Sequence, residues 1–336
     1  MGHDQERVAR HDGLSRRLAA LDDAGITALL GETTAGFGGR TARVIVDGVP
    51  VFAKLVPLTD RERLPANAGS TANLFGLPPF YQYGIGSAGF GAWRELATHT
   101  MTTRWVLDGG YHGFPLVHHW RVIPQTPAPM DPAELDRWVE HWDGDEAVRT
   151  RLTGIGAASA AVVLFMECFP HTVDEWLTGR AAAGDHDAYA FVERALDEGV
   201  TFMRSRGLTH FDAHFRNLLT DGQRIYFADF GLAAHSGFDF DAAEAEFQRR
   251  HDGYDDAYTR SHLTRWLVAK LLDVPWPEVK DRLRRHAADP AGLGLPDAAT
   301  EVVVRHLPVT LVLGDFFDEL WHGGKRTPYP AEDLRR

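Results

Sequence analysis

Asp212, Asn217 and Asp229 carry oxygen atoms that a tight hairpin would bring to one end. Between Asn217 and Asp229 lie two apolar segments, 218–219 and 225–228, which flank an Asp-Gly pair. Apolar segments on either side of Asp-Gly predict a β-hairpin. Two carboxylates and an amide oxygen at its rim would form a hard-oxygen site suited to Mg²⁺ with bound phosphates. The alternative is a surface hairpin with solvated acids.

The order Asp212, four residues, Asn217, then Asp229-Phe-Gly resembles the catalytic and metal loops of the protein-kinase-like superfamily. The Asp-x-His-x-x-Asn detail, with His214, is most similar to the aminoglycoside and choline kinase branch. Asp-Phe-Gly-Leu-Ala at 229–233 is closer to the protein kinases. The resemblance implies a bilobal α+β fold, with an antiparallel N-lobe sheet, an αC-type helix and a mainly helical C-lobe. It also implies ATP and Mg²⁺ as cofactors.

Lys54 lies in the alternating apolar pattern 51–56, which predicts a strand. Phe52, Lys54 and Val56 would share one face of it. A lysine flanked by apolar side chains is partly buried and needs an anionic partner. By resemblance, Lys54 matches the strand lysine that holds the α- and β-phosphates of ATP. The alternative is a lysine at a strand edge whose ammonium group reaches solvent.

Two glutamates compete as the partner of Lys54. Glu95 lies in a helical pattern that begins at Ala92, and it matches the αC glutamate of kinases. Glu62 is nearer to Lys54 in sequence. A surface role for either residue is the alternative.

A glycine-rich turn precedes the Lys54 strand. Gly36, Gly38 and Gly39 resemble the kinase loop that covers the nucleotide, although the full Gly-x-Gly-x-x-Gly spacing is not kept. Glycines let a backbone approach phosphate oxygens closely. An ordinary flexible turn is the alternative. With the apolar run 26–30 and the strands at 41–46 and 49–56, the pattern predicts a three-stranded antiparallel meander.

The continuous apolar run 160–165 predicts a fully buried strand. Glu167 and Cys168 follow it and resemble the kinase hinge, where backbone groups bind the adenine edge. Cys168 is the only cysteine, which excludes an intramolecular disulfide and favours a reducing compartment. No Cys-His-Asn arrangement supports a nucleophilic role for it.

The chain is expected to form an N-terminal nucleotide-binding lobe, 1–166, and a C-terminal catalytic lobe, 167–336. Two insertions are predicted, at about 57–90 and 124–159. The aromatic residues of the first would form either a satellite core or a substrate wall. A charged helix within 1–24 is expected on the outside of the fold.

Composition excludes several classes of protein. Hydrophobic content of 44% with 24% charged residues is typical of a soluble globular chain. A net charge of −12 argues against an extended nucleic-acid surface. Nucleic acid is therefore not expected as a partner. No signal-type or 18-residue apolar run is present, so a membrane is not expected as a partner and a cytoplasmic location is expected.

These residues predict an ATP- and Mg²⁺-dependent phosphotransferase acting on an alcohol group. Lys54 would neutralise phosphate charge, Asn217 and Asp229 would hold the metal, and Asp212 would accept the proton of the acceptor hydroxyl. His214 would either touch the γ-phosphate or have a structural role. Phe211 replaces the arginine of kinases regulated by loop phosphorylation, which favours a small-molecule acceptor. The alternatives are a Ser/Thr kinase acting on a protein or peptide, and a nucleotide-binding pseudokinase scaffold.

Overall fold

The computed structural model describes residues 3–36 and 39–335 as an α+β protein. The chain divides into two compact units. The first runs to Cys168 and includes the later segment Asp229–Glu244, and the second consists of Phe169–Ala228 and the chain from Ala245 onward. This division falls two residues after the predicted boundary between 166 and 167. The prediction also placed 229–244 with the C-terminal lobe, whereas the segment groups with the first unit.

The helices and strands have the following bounds. The helices are α1 (His3–Ala19), α2 (Asp23–Leu30), α3 (Asp60–Arg63), α4 (Ala92–Leu107), α5 (Pro132–His141), α6 (Glu146–Ala157), α7 (Val173–Ala182), α8 (Asp187–Ser205), α9 (Ala242–Arg250), α10 (Tyr254–Leu271), α11 (Val279–Arg285) and α12 (Asp297–His322). The strands are β1 (Thr34–Gly36), β2 (Gly39–Val46), β3 (Val49–Leu58), β4 (Val117–Pro124), β5 (Ala160–Glu167), β6 (His171–Thr172), β7 (Leu208–Thr209), β8 (Leu218–Thr220), β9 (Ile225–Phe227) and β10 (Ala234–His235). None of the helices in the described ranges is both long and apolar enough to cross a membrane.

The first unit is built on a five-stranded antiparallel sheet with the order β1-β2-β3-β5-β4. Helix α4 lies between β3 and β4 in sequence. Strand β5 pairs with both β3 and β4, so it is the buried strand that its apolar run predicts. Central strands of this kind hold their side chains in fixed register, which gives any residue on β3 a defined position.

The two faces of β3 bury different residues. Val51, Ala53 and Leu55 pack in a cluster with side chains from α1 and α2. Phe52 and Val56 belong to a second cluster, which includes Ala92, Trp93 and Leu96 of α4. Because side chains alternate along a strand, Lys54 shares the α4 face with Phe52 and Val56. The predicted alternation is therefore confirmed.

The predicted first strand of the meander is wrong. Ile26 and Leu30 lie on helix α2, and the strand that precedes the glycine-rich turn is β1. Asp22 begins the helix, because its side chain accepts the Gly25 N–H as an N-cap. Ile26 and Leu30, four residues apart, are both buried against the sheet, as one face of a helix requires.

The two predicted insertions pack on each other. Phe80 and Tyr81 of the first insertion lie 6.3 and 4.6 Å, between ring centroids, from Trp142 at the end of α5. Trp142 and Tyr81 are fully buried, and Phe80 is nearly so. These aromatic side chains are thus interior residues of a satellite core and not an exposed wall.

The second unit contains the predicted hairpin. β8 and β9 pair antiparallel, with Leu218 opposite Phe227, and β6 extends the sheet on the other edge of β8. The turn is fixed by Asp221, whose carboxylate accepts the N–H groups of Gln223 and Arg224. Helix α8 buries the periodic face 192, 196, 200 and 203 and ends at Ser205, close before the loop at His210. The predicted hairpin is confirmed.

Candidate functional site

Lys54 is buried between two carboxylates of the first unit. Its Nζ lies 2.6 Å from Glu95 Oε1 and 2.7 Å from Asp229 Oδ1. Glu95 is on the first turn of α4 and is also buried. Asp229 has 46% of its side chain exposed. The two carboxylates fix the position of the ammonium group, and that of Asp229 is open to solvent.

The charges of this triad depend on one another. Burial lowers the pKa of Lys54, but the carboxylates of Asp229 and Glu95 outweigh burial and raise it above its ordinary value. Burial raises the pKa of Glu95, and the positive charge of Lys54 opposes that rise. Lys54 is therefore a permanent cation at neutral pH, as binding of a phosphate requires.

The backbone at Asp229 has a left-handed conformation, with φ of 60°. Phe230 is fully buried against His99, one turn after Glu95 on α4, with ring centroids 4.9 Å apart. A non-glycine residue in this region is strained and persists only where its surroundings fix it. Packing of Phe230 on α4 supplies that constraint and turns the Asp229 carboxylate toward Lys54.

The competition between the two glutamates is resolved in favour of Glu95. Glu62 is also buried, but its carboxylate accepts hydrogen bonds from the Ala92 N–H at 2.7 Å and from Arg151 at 2.9 Å. Glu62 therefore belongs to the start of α4 and not to Lys54.

The glycine-rich turn is described in part. Gly38 lies outside the described residues. At Gly39, a Cβ would lie 2.1 Å from the Leu55 carbonyl oxygen of β3, so the glycine there is required by strand packing. At Gly36, a Cβ would meet nothing closer than 3.7 Å. The phosphate-binding role of these glycines stays a prediction.

Glu167, a residue of the predicted hinge, has a partner that the sequence does not suggest. Arg7 of α1 donates to both oxygens of its carboxylate, at 2.8 and 2.5 Å. The N–H of Leu116 also donates to this carboxylate, and the N–H of Glu167 donates to the Leu116 carbonyl. Helix α1 has the exposed face expected of an outer helix, but Arg7, on its inner face, is only 5% exposed. Cys168 is a partly buried free thiol, and the adenine-binding role of 167–168 stays a prediction.

In the second unit, His210 braces the loop that carries Asp212. Its Nδ1 is 3.3 Å from the Asp212 N–H, and its Nε2 is 2.9 Å from the Ala228 carbonyl oxygen. These partners assign the tautomer, because Nδ1 must accept and Nε2 must donate. The imidazole thus links the loop to the end of β9 with both ring nitrogens engaged.

Asp212 and Asn217 are joined by two hydrogen bonds. The Asn217 Nδ2 lies 3.0 Å from the Asp212 carbonyl oxygen and 3.0 Å from Asp212 Oδ2. Both partners are acceptors, so the amide nitrogen must face Asp212. The Oδ1 of Asn217 then points elsewhere and is the atom that a metal ion could take.

His214 lies beside Asp212, with Nε2 3.8 Å from Oδ2. Its Nδ1 accepts the Arg216 N–H at 3.3 Å, so the proton of a neutral ring is on Nε2 and faces the carboxylate. A role of His214 toward Asp212 or toward a γ-phosphate stays a prediction.

Asp255, at the start of α10, is a site residue that sequence reasoning missed. Its carboxylate accepts the His210 N–H at 2.6 Å and the Phe211 N–H at 3.0 Å. Phe211 has a φ of 63° and packs on Tyr254, with ring centroids 4.9 Å apart. The strained turn before Asp212 is thus held by one buried acid and by aromatic packing of Phe211. In the sequence Asp255 is one of two acidic residues in the first turn of a helix, which does not reveal its distant partners.

The buried carboxyl of Asp255 should make stability depend on pH. Burial raises the pKa of Asp255 to about 7, although the two N–H groups that donate to its carboxylate act in the opposite direction. Between its unfolded pKa and about 7 the folded state binds more protons than the unfolded state, so stability falls as pH rises through this window. The slope reaches about 1.4 kcal/mol per pH unit for one proton.

Asp255→Asn isolates this contribution, because other titrating groups are common to both proteins. Chemical denaturation from pH 4 to 8 should show the parent losing stability relative to the variant as pH rises. Asp252→Asn, at a half-exposed carboxylate two residues before α10, is the control. A difference between parent and Asp255→Asn that stays constant over this range would mean that Asp255 is ionised throughout.

Comparison with protein-family models gave no match, and comparison with curated protein sequences gave none. Within 3–36 and 39–335 there is no group of three or more His, Cys, Asp or Glu side chains arranged to hold a metal. What the site can do must therefore be argued from its own residues.

Proposed function

We propose that the chain is an ATP- and Mg²⁺-dependent phosphotransferase with a small-molecule hydroxyl as acceptor. The observation that carries the proposal is Lys54, a buried cation held at 2.6 and 2.7 Å by Glu95 and Asp229. A lysine fixed in this way on a central strand can bind phosphate without moving. The strand order β1-β2-β3-β5-β4, with α4 between β3 and β4, supports a kinase-like first lobe.

The residues present fit a magnesium ion that arrives with its nucleotide. Mg²⁺ is usually bound through one or two protein oxygens together with substrate phosphates and waters, so a cage of three acidic side chains is not needed. In the first unit, the half-exposed carboxylate of Asp229 would be a ligand of the ion. The role of Asn217 as a second ligand stays a prediction from the sequence. When bound, the ion would neutralise charge on the transferred phosphoryl group.

Phosphoryl transfer divides among the residues of the chain as follows. Lys54 binds oxygens of the α- and β-phosphates, and Glu95 keeps its ammonium group in place. Asp212 accepts the proton of the acceptor hydroxyl while that oxygen bonds to the γ-phosphorus. The bond between this phosphorus and the bridging oxygen breaks, and ADP leaves with the electron pair. Asn217, which donates to Asp212 Oδ2, holds that carboxylate in the orientation needed for this transfer.

The acceptor class rests on how the segment after Asp229 is held. Gln82 donates to the Leu232 carbonyl, and Thr71 and Asp239 exchange two hydrogen bonds. Arg94 and Glu244 form a buried ion pair at 2.7 Å. These contacts order the segment without a phosphorylated side chain. Together with the buried Phe211 in place of an arginine, they support a small-molecule acceptor over a regulated protein kinase.

Mg-ATP should raise the melting temperature by several degrees, because a ligand that binds only the folded state stabilises it by mass action. Lys54→Met should remove most of this shift. Differential scanning fluorimetry with ATP and Mg²⁺ together, and with each alone, measures it.

Lys270→Met is the matched control, because Lys270 is a half-exposed lysine of α10 that lies 3.8 Å from Asp174. It should keep the full shift. No shift at millimolar Mg-ATP in the folded parent protein would rule out the proposed function. A shift without ADP formation across a panel of hydroxyl acceptors would support the scaffold alternative.

A further inference from the structure

Glu62 is a buried carboxylate with no assigned role in phosphoryl transfer. It lies on the short helix α3 and is 1% exposed. Its Oε2 accepts from the Thr59 N–H, the Thr59 hydroxyl and Arg151, at 3.1, 2.6 and 2.9 Å. Its Oε1 accepts the Ala92 N–H at 2.7 Å. All four of these hydrogen bonds are donated to Glu62, so its carboxylate acts there only as an acceptor.

The Glu62 carboxylate takes the place of a cap on α4. Gly91 precedes the helix and has no side chain to cap it. The first N–H groups of a helix lack partners within the helix, and an anion at this end is favoured by the helix dipole. A Cβ at Gly91 would lie 2.7 Å from Glu62 Oε1, so the glycine permits this close approach. The indole N–H of Trp93 donates to the Glu62 carbonyl at 2.9 Å.

This cap lies one helical turn from the Lys54 triad. Ala92 and Glu95 both belong to the first turn of α4. The contact that fixes the Ala92 N–H therefore also fixes where the Glu95 side chain begins. A small rotation or translation of this turn would change the 2.6 Å distance between Glu95 Oε1 and Lys54 Nζ.

Arg151, which binds Glu62, also reaches the segment that carries Asp229. Arg151 is 2% exposed, and its Nε donates to the Gly89 carbonyl at 3.3 Å. Gly89 is packed so closely on Gly231 that a Cβ there would lie 2.3 Å from the Gly231 carbonyl oxygen. Gly231 is the second residue after Asp229. The pair Arg151–Glu62 thus supports both carboxylates that hold Lys54.

We propose that Glu62, held by Arg151, is a positioning residue that sets the placement of Glu95 and Asp229 around Lys54. Its role in catalysis rests on the proposed function, but its effect on Lys54 does not. A buried ion pair that served only stability would leave the environment of Lys54 unchanged whenever the fold persists. The two cases therefore differ in the reactivity of the Lys54 amine.

Acylation of lysines with an amine-reactive acetate ester, followed by mass spectrometry, tests the proposal. The chain has four lysines, at 54, 270, 280 and 325, so each can be followed separately. Glu95→Gln should raise the labelling rate of Lys54 several-fold, because the amine loses the carboxylate that holds it at 2.6 Å. Glu62→Gln should raise it by a similar factor, since a glutamine must turn its amide group toward a donor.

The double variant distinguishes positioning from general loosening. If Glu62 acts through Glu95, Glu62→Gln should add little once Glu95→Gln is present, because effects within one coupled network do not sum. Lys270 is the internal control and should label at the parent rate throughout. Unchanged Lys54 labelling in Glu62→Gln, or an equal increase in both backgrounds, would overturn the proposal.

Arg151→Lys covers the case in which Glu62→Gln does not fold. Lysine keeps a positive charge beside Glu62, but it lacks the second N–H group with which the guanidinium also reaches the Gly89 carbonyl. We expect a smaller rise in Lys54 labelling, with the melting temperature near that of the parent. Parent-like labelling in this folded variant counts against the proposal. The assay needs neither ATP nor turnover, so absence of nucleotide binding would remove the proposed function and leave this result to be judged separately.

Discussion

Asp212→Asn is expected to lower the rate of phosphoryl transfer by on the order of 10²-fold or more, while ATP affinity stays within a few-fold. Asparagine keeps an oxygen that can accept from Asn217, so the loop keeps its shape. It removes the charge and the basicity needed to take the acceptor's proton. Transfer to an identified acceptor at saturating Mg-ATP, beside an ATP titration, measures the two effects apart.

Two comparisons make this result specific. Asn217→Ala should weaken Mg²⁺ binding as well as lower the rate, because it removes the Oδ1 proposed as a metal ligand. Asp197→Asn, at a half-exposed carboxylate paired with Arg260, is the matched control and should leave both the transfer rate and the ATP affinity unchanged. Loss of ATP binding in Asp212→Asn with intact binding in Asn217→Ala would show that the roles within this loop are assigned wrongly.

Asp229→Asn should reduce Mg²⁺-dependent turnover by on the order of 10²-fold or more, as expected when a charge that stabilises the transition state is lost. Asparagine is chosen over alanine because it tolerates the left-handed backbone at this position. The fold should persist, since nearly half of the side chain is exposed.

The same substitution has a second readout. Asp229 raises the pKa of Lys54, so its loss should lower that pKa and increase labelling of the amine. Asp47→Asn, at an exposed carboxylate in the β2–β3 turn that also has a left-handed backbone, is the control. Full turnover in Asp229→Asn at low Mg²⁺ would show that the Asp-Phe-Gly sequence has no part in metal binding.

Features encoded by near neighbours could be predicted from the sequence. The β8–β9 hairpin follows from apolar segments around Asp221-Gly222. The faces of β3 follow from simple alternation, which places Lys54 toward α4. In both cases the period of the pattern and the turn residues are sufficient, because they act within a few positions of the chain.

The errors arose where a local pattern was ambiguous or a partner was distant. The apolar run at Ile26 is too short to separate strand from helix, and the capping bond of Asp22 decides it. Charged residues of α1 were expected outside, yet Arg7 is buried because Glu167 and two carbonyl groups receive its N–H donors. The partners of Asp255 lie more than forty positions away, a separation that no periodicity encodes.

The ion pair of Glu62 and Arg151 also constrains how this chain could be recombined with another. Its two members are 89 positions apart in sequence. A crossover between them would unite one member with a foreign partner, and a buried charge left alone costs about 3–5 kcal/mol. Crossovers before Thr59 or after α6 keep both members together. The span from 59 to 157 therefore keeps this ion pair and the capped start of α3 within one block.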